Sequence, residues 1–227
     1  MLKVENIKVY DLKESVIASG YAMRTSSLTE EDYSSEELFQ KGLKRMQKLV
    51  HTSASTDIHC HDNALTGIRV SFDLTYPQYI SPELQRYHWI DIVTSMSKMH
   101  RLLKLNIDDC CNKYVSQEAI DNVNDYIEIY NFIKDHQSEA FEFHFRDGKH
   151  TINGHQNCLY TAWMQVLSNV PSGLELTMRI STNYKQLQTI YYQRRNHKLK
   201  EDWGAFCQMV ESLPYFNEFI LGIPSVS

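Results

Sequence analysis

The chain has 227 residues, of which 42% are hydrophobic, 22% charged and 11% aromatic, with a formal net charge of -5 and a pI near 6.0. This composition suits an ordinary folded chain and argues against disorder, and its acidic balance gives no general electrostatic reason to bind a nucleic-acid polymer. Five cysteines without regular spacing (Cys60, Cys110, Cys111, Cys158 and Cys207) read as reduced cytoplasmic thiols, and the sequence lacks both a leader-like start and the roughly 18-residue apolar run that a membrane span requires.

From Val4 to Ile17, apolar and polar residues alternate and predict an opening strand, with 15–23 turning toward a helix. Residues 27–37 are rich in Ser, Thr and acids and read as a loop. Ser34 or Ser35 then supplies an N-cap for a helix that carries Leu38, Phe39, Leu43, Met46 and Val50 on one side. The run Thr66 to Tyr76, with Ile68, Val70, Phe72 and Leu74 in near-alternation, predicts a strand that stops near Pro77. Ser81-Pro82 opens a predicted helix over 83–99, which would carry Arg86 and His88 close to the end of that strand, where a ligand can enter.

Further along, Ile120, Val123, Tyr126, Ile127, Tyr130 and Ile133 have helical spacing over 117–136, most simply explained by core packing. Residues 138–156 are dense in aromatics, His and turn residues and predict a short hairpin or an excursion over a site. A helix over 158–167, a turn at Pro171-Ser172-Gly173 and a strand over 174–180 follow, and Thr182 or Asn183 caps a final helix through Arg195. No repeat or linker divides the chain, so a single α+β domain over residues 1–227 is expected, with a mixed or antiparallel sheet and long helices.

Lys185 and Arg194 are nine residues apart, about two and a half helical turns, and so lie on opposing faces where they could serve two ligands or two subunits. The bland reading of such a helix is a solvated basic face; the N-terminus beside Asn183 also offers backbone N–H groups to an anion. His59-Cys60-His61-Asp62 contains metal-ligand residue types, but neighbouring side chains point apart and no companion motif has ligand spacing, so a loop with one functional histidine, His61, is favoured over a metal site. Asp108-Asp109 and Glu201-Asp202 read as solvated turns or helix caps, and Arg194 to Lys198 as only a secondary candidate for nucleic-acid contact.

The segment from Val170 through Leu187, continued to Arg194, resembles the flavin-dependent thymidylate synthases. Pro171 stands twelve residues before Asn183, Leu187 four after it and Arg194 eleven after it, matching that family's Pro, Asn-x-Arg-x-Leu and Arg without a gap. A second block, from His61 through Phe72 and Pro77 to Arg86-Tyr87-His88, is spaced like the family's His, Phe, Pro and Arg-His-Arg elements, with Tyr87 and His88 replacing the last two of the triplet. Lys98 falls on a later family Arg, while Met96, or Ser97 after a one-residue insertion, falls on a family Ser. Leu167 stands where the family has a phosphate-gripping Arg, leaving Lys98, Arg101 or Arg195 as substitutes, and residues 105–156 lie outside the resemblance.

The resemblance implies a homotetrameric FAD enzyme that methylates dUMP to dTMP with methylenetetrahydrofolate and NADPH, in the cytoplasm of a bacterium or encoded by a virus of one. It implies a catalytic role for Arg194 on the uracil ring, nucleotide contacts from Arg86, Ser95, Ser97, Lys98 and Arg194, and flavin contacts from His61, Arg86, Tyr87, His88, Asn183, Lys185 and Thr189. No resident metal and no membrane partner are implied. The replaced triplet keeps two alternatives open: a different reaction, such as hydroxymethylation, on another pyrimidine deoxynucleotide, and a noncatalytic nucleotide binder on the same scaffold.

Overall fold

A computed structural model describes residues 2–55, 62–136, 142–144, 151–153 and 156–223; the side chains of 52–55, 142–144, 151–153 and 156–158 lie outside the description. In chain order the elements are β1 (Lys3–Tyr10), α1 (Leu12–Ala18), α2 (Glu30–Ser34), α3 (Glu36–Ser55), β2 (Arg69–Pro77), α4 (Ser81–Leu84), β3 (Asp91–Ser95), α5 (Lys98–Arg101), α6 (Ile107–Cys110), α7 (Gln117–Asp135), β4 (Glu142–His144), β5 (Thr151–Asn153), α8 (Gln156–Ser168), β6 (Glu175–Asn183), α9 (Tyr184–Arg194) and α10 (Lys200–Glu211). A π-helical turn, Asn217–Leu221, follows.

These elements fall into two compact units, Met1–Tyr76 with Ser81–Ser95 and Thr177–Ser227, and Pro77–Ile80 with Met96–Leu176. The first is built on a sheet of strand order β1-β2-β6-β3. β1 runs antiparallel to β2, and β3 antiparallel to β6. The β2–β6 direction follows from two contacts: Thr75 meets Thr177 through their hydroxyls at 2.8 Å, and the Tyr184 amide donates to the Ile68 carbonyl at 3.1 Å. The alternation expected in 66–76 is present, because Val70, Phe72, Leu74 and Tyr76 point inward while the residues between them stay partly exposed.

Phe72 packs edge-on against Phe206, and Phe206 against Trp203, with ring centroids 6.0 and 5.7 Å apart, so α10 covers this part of the sheet. Burying side chains of this size contributes about 1.5–3 kcal/mol each. α10 itself went unread in the sequence, and its residues correct one expectation. Asp202 is buried, and its carboxylate accepts the Leu2 amide at 2.9 Å, rather than lying in a solvated turn.

α2 has a capping box in which Thr29 and Asp32 bond each other's backbone amides, inside a stretch expected to be loop. Ser35 then accepts the Leu38 amide at the start of α3, one of the two caps expected there. α3 buries Phe39, Met46 and Val50 on one side and packs on α1, where Gly42 lets the helices approach so closely that a Cβ would lie 2.6 Å from the Val16 carbonyl oxygen.

The helix expected over 83–99 is a correction of larger consequence. Helix ends at Leu84, the chain passes through Arg86, Tyr87 and His88 without regular structure, and Asp91–Ser95 forms an edge strand on β6. Its Ile-Asp-Ile-Val-Thr run is rich in β-branched residues, and ladder pairing with β6 prevails over the approximate helical spacing of the apolar positions.

In the second unit, α7 packs against α8 through Ile129, Ile133 and Ala162, with Tyr126, Tyr130 and Leu159 around them. β4 pairs with β5 from Glu142–Asn153 to His144–Thr151, a ladder of the kind the hairpin reading required. The Asp147-Gly148 turn and Gly154 lie outside the described residues. Pro171-Ser172-Gly173 turns as expected: the Gln78 and Tyr79 amides donate to the Leu174 and Ser172 carbonyls, and the Asn112 amide to that of Gly173. Among the described residues no helix is long and apolar enough to cross a membrane.

Candidate functional site

β6 ends by handing its last residue to α9. Asn183 is extended, buried and positioned to accept the Gln186 amide through Oδ1 at 2.9 Å, so it serves as the N-cap that the sequence suggested. One residue into the helix, Lys185 donates to Asp62 Oδ2 at 2.6 Å and to Gln188 Oε1 at 3.2 Å. Asp62 is 1% exposed, and its other oxygen, Oδ1, is buried with no hydrogen-bond partner among the described residues. Thr189 is exposed and bonds back to the Lys185 carbonyl at 3.2 Å. His61 lies outside the described residues.

At the far end of α9, Arg194 sits in a bracket of three side chains. Its Nε donates to the Tyr87 hydroxyl at 2.7 Å, and its Nη1 lies 2.9 Å from Glu83 Oε2. Its guanidinium carbon lies 4.4 Å from the centroid of the Trp203 ring and 5.6 Å from that of Tyr87. The Trp203 indole donates to the same Glu83 oxygen at 2.8 Å, and His197 Nε2 stands 3.8 Å from Glu83 Oε1. Tyr87 in turn donates to Gln193 Oε1 at 3.1 Å, and burial holds its phenol above the ordinary value despite the opposing pull of Arg194. The arginine is thus fixed by charge, hydrogen bonding and cation–π contact in a partly desolvated place, where such interactions are stronger than in bulk water.

Arg86 and His88 behave differently. Both are exposed, and Arg86 makes no hydrogen bond or ion pair with any described residue. The His88 ring meets the exposed Trp89 ring edge-on at 4.7 Å. Trp89 is anchored by its backbone, its amide donating to Gln186 Oε1 and its carbonyl accepting from the Thr182 hydroxyl. A cavity of about 330 Å³ opens beside this segment, lined among others by Ser81, Leu84, Tyr87, Ile90 and Met178. Its size is at the lower end of the range usual for small-molecule sites.

The remaining expected residues divide between the units. Ser95 is the exposed last residue of β3 in the first unit. In the second, Ser97 caps α5 by accepting the His100 amide at 3.3 Å, and Lys98 donates to Gln78 Oε1 at 3.2 Å. Among the described residues, no group of three or more His, Cys, Asp or Glu is placed to hold a metal ion.

The structure therefore brings Arg194 and Tyr87 into one cluster and puts Asn183 and Lys185 at the other end of the same helix, with Thr189 midway along it. Glu83 and Trp203 complete the first cluster and were missed in the sequence. The available signal was the helical spacing of Trp203, Phe206, Cys207 and Val210, which predicts a helix with Trp203 on its apolar face.

No protein-family model matches the chain, and a comparison with curated proteins finds no match. Solved structures do match. A flavin-dependent thymidylate synthase ThyX from Helicobacter pylori, complexed with FAD and dUMP, superposes with a TM-score of 0.59 at 12% identity, over 96% of this chain and 97% of that one. The fold is that of the flavin-dependent thymidylate synthases. A second ThyX structure from the same organism, again with FAD and dUMP, gives a TM-score of 0.54 at 14% identity over 97% of each chain. The UMP/dUMP methylase PolB from Streptomyces cacaoi, bound with 5-Br dUMP, gives 0.54 at 12% identity over 98% of this chain and 96% of that one. With 96–98% of this chain covered, the likeness is not confined to the two blocks that carried the sequence resemblance.

Proposed function

We propose that residues 1–227 act as one flavin-dependent domain that binds a pyrimidine deoxynucleotide and methylates dUMP to dTMP, with methylenetetrahydrofolate as carbon donor and NADPH as reductant. The observation that carries this reading is the nearly complete coverage, in both directions, of structures described with FAD and dUMP, by a chain whose Arg194 is held ready at the end of α9.

Two sets of residues respond differently to the fit of FAD. Arg86, His88 and Trp89 are exposed and adjacent, and they offer a cation, a titratable donor and an aromatic face, a suitable donor set for a flavin dinucleotide. Asn183 and Lys185 are already committed, one to its own helix and one to Asp62. The cofactor would then be held mainly from the 86–89 segment, with Asp62 Oδ1, which has no partner among the described residues, able to accept one further N–H or O–H. FAD, when bound, supplies the redox chemistry, and the protein needs no covalent nucleophile of its own.

The chain's own contribution is electrostatic and positional. Arg194, restrained by Glu83, Tyr87 and Trp203, presents its remaining N–H groups to a carbonyl of the pyrimidine and stabilises charge that develops there. Its rigidity matters because a pre-oriented donor requires no reorganisation as the reaction proceeds. Arg86, exposed in the same unit as Arg194, supplies positive charge to the nucleotide, for which Leu167 replaces the family's phosphate-gripping arginine. As in its family, the chain is proposed to work as a homotetramer in a cytoplasm.

The internal use of Asn183 and Lys185 supports a second reading, a nucleotide binder that has lost its flavin. The visible absorption spectrum of the purified protein, alone, with FAD and then with dUMP, separates the two. A flavin band perturbed by dUMP, together with dTMP formation when folate and reductant are supplied, is the result expected. Binding of dUMP without any flavin binding would overturn the enzyme reading in favour of the binder.

A further inference from the structure

Within the Arg194 cluster some hydrogen-bonding capacity is spent and some is not. Glu83 Oε2 accepts from Trp203 Nε1 at 2.8 Å and forms an ion pair with Arg194 Nη1 at 2.9 Å. Among the described residues, Glu83 Oε1 makes no hydrogen bond, His197 Nε2 standing at 3.8 Å, too far for one. On Arg194, Nε and Nη1 are engaged while Nη2 makes no hydrogen bond with a described residue. The Glu83 side chain keeps 25% of its surface exposed, and that of Arg194 14%. The pair therefore retains one acceptor and one donor without a hydrogen-bond partner among the described residues, in a partly desolvated aromatic setting.

That combination is complementary to a ring edge on which an N–H adjoins a carbonyl. We propose that Glu83 is a specificity-determining residue that, with Arg194, reads the neutral imide edge of a uracil-type base, Glu83 Oε1 accepting the ring N–H and Arg194 Nη2 donating to the adjacent carbonyl. The proposal rests on the reading that Arg194 meets the pyrimidine, and it adds a direction to it. An arginine alone favours an ionised ring, because it attracts the anion. The Glu83–Arg194 pair has no net charge, and its carboxylate both needs the ring proton and repels the anion formed when that proton is lost. The other polar or titratable groups around Glu83 are His197, Tyr87 and the Trp203 indole, with Cys207 near Tyr87.

The test is equilibrium binding to the full chain, with FAD present, of dUMP, its N3-methyl derivative and 5-bromo-dUMP, whose bromine makes the ring N–H more acidic. Wild type and Glu83→Gln are compared at each pH. Wild type is expected to prefer dUMP over the N3-methyl derivative by about tenfold or more, the value of a hydrogen bond to a charged acceptor. Its affinity for 5-bromo-dUMP is expected to fall as rising pH ionises the ring. Glu83→Gln should lower the N3-methyl discrimination at least about threefold and abolish or reverse that pH slope, because the arginine charge is no longer balanced.

Equal affinities of wild type for dUMP and the N3-methyl derivative, or an unchanged pH slope in a folded Glu83→Gln protein, would overturn the proposal and leave the proposed function standing. Absence of any pyrimidine nucleotide binding by wild type would overturn both. Should Glu83→Gln fail to fold by circular dichroism, the wild-type preference and the sign of its pH slope decide the matter.

Discussion

Lys185 and Asp62 form an ion pair of 2.6 Å in which the two ends differ in solvation: the carboxylate side chain is 1% exposed and that of the lysine 24%. A lysine left alone here can turn toward water, whereas the carboxylate cannot. Lys185→Ala is therefore expected to cost about 3–5 kcal/mol, the range for stranding a buried charge. Asp62→Asn, which strands the better-solvated partner, should cost about 1–3 kcal/mol. Urea denaturation of both variants checks the order, and an equal or reversed pair of losses would contradict the account.

Arg194 and Arg195 are adjacent in sequence but differ in surroundings. Arg195 is exposed, with its guanidinium carbon 4.8 Å from the Tyr192 ring centroid, while Arg194 is enclosed by Glu83, Tyr87 and Trp203. Arg194→Ala should weaken uracil-nucleotide binding or turnover by about tenfold to a hundredfold, and Arg195→Ala by much less. Calorimetric titration with dUMP and initial rates supply the comparison; matching losses would remove Arg194 from the assigned role.

Two helical glycines predict opposite responses to the same substitution. In an exposed helix interior, Gly→Ala stabilises by up to about 1 kcal/mol. A Cβ at Gly204 in α10 would meet no described atom within 4 Å, so Gly204→Ala should raise the melting temperature. At Gly42 the Cβ would lie 2.6 Å from a backbone oxygen of α1, so Gly42→Ala should lower it. Thermal melts followed by circular dichroism will show whether the signs differ.

Asp73 accepts from Asn6 Nδ2 at 2.6 Å and from Arg179 at 3.0 Å, tying β2 to the bulge of β1 and to β6. These bonds, that of Asn6 first, hold its carboxyl below the ordinary value of 3.8. A depressed folded pKa contributes stability that is present above the unfolded value and is lost as pH falls through the folded one. The stability gap between wild type and Asp73→Asn should therefore be constant at neutral and mildly acidic pH and should close below about 3.8. Denaturation midpoints across acidic pH measure it; a gap that widens on acidification would refute the sign.

The parts of the fold that were legible in the sequence are those in which local preference and tertiary burial agree. β2 alternates because one face is buried, α7 repeats with helical spacing because one side meets α8, and Asn183 reads as a cap because its short acceptor side chain fits a helix start. The stretch 83–99 was read wrongly because its apolar residues fit two periods loosely, and only the distant β6 decides between them. Likewise, Arg194 was visible through a spacing shared with a known family, but its partners were not. Glu83 lies 111 positions upstream and Trp203 on a helix that was not anticipated, and no local signal ties either to an arginine.

The indole of Trp203 carries one more consequence, an optical one. It is fully buried and hydrogen-bonded to the carboxylate that holds Arg194, whereas Trp89, beside Arg86 and His88, is 56% exposed. Emission from the first should lie toward the blue and resist iodide, and emission from the second toward the red and yield to it. With Trp163 as the third indole, the protein carries its own fluorophores in the two places where a base and a flavin are proposed to arrive, so occupancy of each can be followed without a label.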